Sequence, residues 1–123
     1  MRIVLSGSSK VKEKVFKIAK LLEEKGYEVI VPREFYVYME KREHSMKHFD
    51  EICKKETDIL LAVNETKNGI KNYIGPNTFA EIAMAFYKQK KVYVLNDLYE
   101  PYMDELKGWG IIPLKGDLDK IEK

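Results

Sequence analysis

Ile59-Leu60-Leu61-Ala62-Val63 is an unbroken apolar run, followed by the polar stretch Asn64 to Asn77 and then by Thr78-Phe79-Ala80-Glu81. A short run apolar on both faces, bounded by turn-forming residues, reads as a strand buried inside a parallel sheet. Phe79, Ile82, Ala83 and Phe86 then recur at helical spacing, so a helix running to about Gln89 opens where the loop ends. Ligands of open α/β sheets bind at such strand-to-helix junctions. Long loops in small domains usually carry function as well.

The same alternation extends outward in both directions. Upstream, Arg2 to Ser6 holds the apolar run Ile3-Val4-Leu5 and ends in Gly7-Ser8-Ser9. Val11, Val15, Ile18, Ala19 and Leu22 then mark a helix that Gly26 closes, and Glu28-Val29-Ile30-Val31-Pro32 reads as a second strand. Between Pro32 and Asp58, Phe49, Ile52 and Cys53 sit at helical spacing. The pattern leaves open the conformation of Phe35 to Met39, which is placed to cover a pocket. Downstream come a fourth strand at Val92-Tyr93-Val94-Leu95 and a short helix from Tyr99 to Lys107. Ile111-Ile112-Pro113 fits a sheet edge, where proline is tolerated, and Asp117 to Lys123 a last helical turn or two.

Strands alternating with helices predict a parallel sheet with right-handed crossovers. The expected fold is α/β, a flavodoxin-like or Rossmann-like three-layer sandwich with a five-stranded parallel sheet in the order 2-1-3-4-5, covering residues 1–123 as a single domain. In that order the switch point lies between strands 1 and 3, so Gly7-Ser8-Ser9 and the Asn64 to Asn77 loop flank one crevice.

Composition narrows the partners. The 22 Lys and Arg against 20 Asp and Glu are interspersed, which leaves no electrostatic footprint for nucleic acid or an anionic membrane. The expected ligand is a small molecule. One cysteine and two histidines argue against a disulfide and a structural zinc site, and the first strand begins without a signal-peptide pattern. A cytoplasmic protein is expected.

Gly7, Ser8 and Ser9 offer backbone N–H groups, hydroxyls and a helix start that suit an anion such as phosphate, although a serine here is equally well an N-cap. Glu81 also has two readings. In Thr78-x-x-Glu81 it completes a capping box, bonding back to its own helix start. Alternatively, a carboxylate beside a nucleoside sugar stabilises or captures the positive charge that builds at the anomeric carbon when an N-glycosidic bond breaks. A second acid would then assist the departing base. Asp50 is the candidate, against an ordinary i,i+4 pairing with Lys54. His44 and His48 fit a base or phosphate contact less well than simple solvation. Tyr36, Tyr38, Tyr73 and Trp109 are able to stack on a base but more commonly serve a core or interface.

Gly7-Ser8 after the first strand, Asp50 eight residues before Asp58, and Phe79-Ala80-Glu81-Ile82-Ala83-Met84-Ala85 together resemble the nucleoside 2-deoxyribosyltransferase superfamily, which includes the 2'-deoxynucleoside 5'-monophosphate N-hydrolases. The resemblance covers nearly the whole chain in matching order. It implies cleavage or transfer at the N-glycosidic bond of a nucleoside or its 5'-monophosphate, with Glu81 as the nucleophile and Asp50 assisting at base or sugar. It also implies a homo-oligomer that needs no cofactor and no metal. Substrate contacts are expected from Gly7, Ser8, Ser9, Asn64, Lys71, Gly75, Asn77 and Thr78. Two departures stand out: Val4 occupies the place of the family's first-strand tyrosine, and the loop before Glu81 is longer and richer in amides. Cytokinin-activating phosphoribohydrolases are a fainter match, since their paired-glycine motif is missing. The competing expectation is a non-catalytic nucleotide-binding or signalling module on the same fold. A phosphoacceptor receiver domain lacks the acidic pair it would need after the first strand.

Overall fold

The computed structural model describes residues 1–122. Its centre is a parallel sheet in the order β2-β1-β3-β4-β5. The strands are β1 (Arg2–Ser6), β2 (Glu28–Ile30), β3 (Thr57–Ala62), β4 (Lys91–Val94) and β5 (Ile112–Pro113). The helices are α1 (Lys12–Glu24), α2 (Lys41–Cys53), α3 (Pro76–Tyr87) and α4 (Met103–Gly108). Fold class and strand order are those the sequence implies.

Alternation along the strands divides the core in two. Ile3 and Leu5 of β1, Ile59 and Leu61 of β3 and Tyr93 of β4 pack with Val15, Ile18 and Leu22 of α1. Val4, Leu60, Ala62, Val92 and Val94 face the other way, against Ile52 of α2, Ile82 and Ala85 of α3 and Leu106 of α4. The right-handed crossover rule accounts for this: the chain turns back once, from β1 to β2, and α1 alone lies on its side of the sheet. Ser6 follows Val4 by two residues and therefore points toward the α2 and α3 layer.

Local chemistry sets several boundaries. The N–H of Tyr27 donates to the Leu22 carbonyl at 3.1 Å and that of Gly26 to Glu23 at 2.9 Å, a Schellman closure of α1 that needs the φ of +97° at Gly26. Thr57 joins β3 ahead of the apolar run because it pairs with Arg2. The stretch between β2 and β3 resolves into a 3-10 turn at Arg33–Phe35, which seats Phe35 edge-on to Phe16 at 5.8 Å, and then α2. Asp117 to Lys123, expected as helical, contains a 3-10 turn at Leu118–Lys120, with Lys123 outside the described residues.

One boundary matters for the site. α3 starts at Pro76, with Gly75 as its N-cap and Pro76 in the first helical position, where its missing N–H costs nothing. Glu81 is then the sixth helical residue, beyond the third position that a capping box requires. The capping-box reading of Thr78 and Glu81 is corrected on this ground.

Candidate active site

Glu81 is 2% exposed, yet it is met by polar side chains rather than by its own helix start. Ser6 at the C-terminal end of β1 donates its hydroxyl to Oε1. Asn77, one turn earlier on α3, donates Nδ2 to Oε2 at 3.2 Å. The Asn77 carbonyl oxygen in turn accepts from Ser45 Oγ of α2 at 3.4 Å, which fixes the direction of its amide. Three elements thus converge on one carboxyl group.

Burial pushes the Glu81 carboxyl up from 4.5 to about 7. The Ser6 hydrogen bond and the nearby charges of His44 and Lys41 oppose that rise, and Glu34 adds to it. A carboxyl poised near neutrality and ready to ionise beside a developing cation is what acid–base and nucleophilic sites arrange. His44 and His48 are both held below the usual histidine value, burial being the main cause in each.

Above Asn77 lies a cleft of about 250 Å³. Gly7, Ser8 and Ser9 form one side, and Gly75, Asn77 and Thr78 another. The expected convergence of the β1 loop with the start of α3 is therefore present. Gly7 fits closely there, since a Cβ would come to 3.3 Å from Val15 Cγ2 and that side chain would have to give by a few tenths of an ångström. Ser8 caps the turn Ser9–Val11, accepting from the Lys10 N–H at 3.2 Å. Its hydroxyl is thus already engaged, while Ser9 is exposed.

The cleft gains Glu34, Lys41, Lys67 and Tyr73, none of which the sequence singled out except Tyr73. Lys67 is delivered by a tight hairpin: Asn68 and Gly69 have φ of 51° and 79°, and Lys67 and Ile70 exchange backbone hydrogen bonds of 3.0 and 2.9 Å. Asn-Gly between two such partners is the signature of a type I′ turn, a signal the composition of this loop concealed. The Lys67 ammonium lies 5.0 Å from the Tyr73 ring centre, and that ring sits edge-on to Tyr99.

Three expected site residues lie elsewhere. Asn64 is buried, and its amide is consumed by the backbone: Nδ2 donates to the Asp97 carbonyl at 2.7 Å, and Oδ1 accepts the Asn96 N–H at 2.9 Å. It ties the end of β3 to the segment after β4. Lys71 is exposed and does not line the cleft. Asp50 is exposed on α2, two residues and hence about 200° around the helix from the buried His48. It borders a separate hollow of about 550 Å³ with Arg33, Lys47 and Lys54, and no contact joins it to Glu81. That hollow is the larger of the two, but Asn77, which holds the Glu81 carboxyl, lines the smaller one. Among the described residues, no group of three or more His, Cys, Asp or Glu side chains could hold a metal ion, and no helix is long and apolar enough to cross a membrane.

No family model matches this chain, and it matches no curated protein. In structure it is similar to the CMP N-glycosidase BcmB of Clostridium botulinum, with a TM-score of 0.64 and 22% identity over 91% of this chain and 85% of that one. At that identity the likeness is one of fold.

Proposed function

We propose that the protein cleaves the N-glycosidic bond of a nucleoside or, preferentially, its 5'-monophosphate, with Glu81 as the nucleophile. The observation that carries this is the buried Glu81 carboxyl, held by Ser6 and Asn77 directly below a cleft at the switch point of the sheet. The fold shared with a CMP N-glycosidase supports it, as does the resemblance to the deoxyribosyltransferase superfamily. Ser6 takes over the orienting role of that family's first-strand tyrosine, which Val4 cannot supply from the core.

In this reading the sugar lies over Asn77, and the phosphate meets the Gly7-Ser8-Ser9 backbone with Lys41 and Lys67, which form no ion pair within the described residues. Tyr73 offers a ring to the base. As the C–N bond lengthens, Asn77 turns aside and the ionised Glu81 closes on the anomeric carbon. The test is incubation with ribo- and deoxyribonucleoside 5'-monophosphates, followed by chromatography for free base. Release by the wild type that vanishes in Glu81→Gln is the expected result. No release from any nucleotide overturns the reading.

A non-catalytic nucleotide-binding module is the second reading, favoured by the enclosure of Glu81 beneath Asn77. Calorimetry that shows tight monophosphate binding without base release would establish it instead. We also propose a homo-oligomer, supported by Phe86 and Tyr87, which stand 41% and 78% exposed on the outer face of α3. Sedimentation showing only monomer would contradict that.

A further inference from the structure

A departing base takes up a proton, and the Glu81 cleft contains a carboxylate that attack at the sugar leaves unused. Glu34 comes from the 3-10 turn after β2 and lines the cleft with Ser8, Ser9, Lys41 and Asn77. Its Oε1 lies 3.0 Å from His44 Nε2, while Oε2 has no protein partner among the described residues. His44 is only 3% exposed, and its ring stacks on that of His48 at 5.8 Å and 19°. His48 is itself anchored, donating Nε2–H to the Leu5 carbonyl of β1 at 2.8 Å. The strand thus fixes His48, His48 packs on His44, and His44 holds Glu34. Other charged and titratable groups facing Glu34 are Lys41 on α2, Glu81 on α3, and Lys67 and Tyr73 from the loop before it. Asp50, the acid the sequence suggests, is in the other hollow.

We propose that Glu34 is the general acid and base of the reaction, held in place by His44 as a positioning residue; this rests on the N-glycosidase reading above. In the first half, a Glu81 oxygen bonds to the anomeric carbon as the C–N bond breaks, its electron pair passes to the base nitrogen, and the proton on the Glu34 carboxyl goes to the base. In the second half, the Glu34 carboxylate takes a proton from water. The water oxygen bonds to the anomeric carbon and Glu81 leaves as a carboxylate. Nucleotide and water have then become free base and sugar phosphate, and both glutamates are restored.

The experiment varies the leaving group. Base release from the best-cleaved monophosphate is compared with release of 4-nitrophenolate, which departs without a proton, from the same sugar phosphate. Glu34→Gln should slow base release about 100-fold or more. It should leave the nitrophenolate burst within about threefold of wild type and act on kcat rather than KM. His44→Gln should show the same selective loss, to a smaller degree. In Glu34→Ala, added azide should intercept the intermediate as a glycosyl azide visible by mass spectrometry. An equal loss with both leaving groups, no loss with either, or no azide product overturns the assignment. Wild-type protein that releases neither base nor nitrophenolate is a different result, because it removes the N-glycosidase reading itself.

Discussion

The two ends of β1 are both polar, and they differ in how their charges are satisfied. At the N-terminal end Arg2 is saturated with acidic and hydroxyl partners: Nη1 donates to Glu28 at 2.7 Å, Nη2 to Glu51, and Nε to Thr57 Oγ1 at 3.1 Å, while its backbone N–H meets Asp58 at 2.9 Å. At the C-terminal end, four residues later, Ser6 and Asn77 give Glu81 two neutral donors and no cation in contact. The first arrangement neutralises itself. The second leaves a buried carboxyl without a cation in contact beside a cleft whose lysines form no ion pair among the described residues, and uncompensated charge is what remains available for a ligand. One strand therefore separates a fastening from a candidate reaction centre.

Replacing the key group at each end should have opposite consequences. Glu81→Gln should lower base release at least about a thousandfold, a rise of roughly 4 kcal/mol in the barrier, with folding retained. Turnover near wild type in this variant would remove the contrast between the two ends.

Acid sensitivity gives the next largest effect, with opposite signs. Glu81 is raised from 4.5 to about 7, so its contribution to stability is fully present below 4.5 and is lost as pH rises to about 7, a swing of roughly 3 kcal/mol. Glu51 is the reverse. Burial works to raise its pKa, but Lys54 and Arg2 outweigh it and hold the group below 4.5, so its contribution exists above that value and is lost on acidification. Urea unfolding of wild type and Glu81→Gln at pH 5 and pH 8 separates the two. The variant should gain on the wild type as pH rises, and a constant difference would show Glu81 to be unperturbed.

Arg2→Ala should cost about 1–2 kcal/mol of stability, since it removes a donor from Glu28, Glu51 and Thr57 and leaves Glu51 to Lys54 alone, and should leave the rate of base release unchanged. A parallel loss of rate would mean that the N-terminal end also supports the reaction. The smallest change is expected from Ser6→Ala. Without its hydroxyl the Glu81 carboxyl is held less firmly in the ionised form, so base release should fall about tenfold and the acidic limb of its pH profile should move upward. An unmoved limb would deny Ser6 its role.

The sheet was legible because its signals are local and repeated. Apolar runs with period two or none, amphipathic helices and Gly26 each point the same way, and the order 2-1-3-4-5 follows from handedness. The site was only half legible. Gly7, Gly75, Asn77 and Glu81 stand where the strand-to-helix junctions put them, but Ser6 was hidden as the last residue of an apolar strand. Alternation from Val4 carries the signal that would have exposed it. Asp50 attracted notice by its spacing to β3, whereas the phase of α2 is set by its buried residues His44, His48 and Ile52, which turn Asp50 outward. Asn64 reads as a contact residue in sequence because an amide that ties two strand ends together, as its bonds to Asn96 and Asp97 do, looks there like one that awaits a ligand. Glu34 gave no signal at all, since it lies within a 3-10 turn and its neighbour His44 is ten positions away on α2.

The central claim is that Glu81 bonds covalently to the sugar. Incubation with a 2-deoxy-2-fluoro-arabinonucleoside 5'-monophosphate, whose fluorine slows the second half-reaction, followed by acid quench and peptide mass mapping, tests it directly. A sugar phosphate adduct on Glu81 is predicted; base release accompanied by an adduct on another residue, or by none, would contradict it.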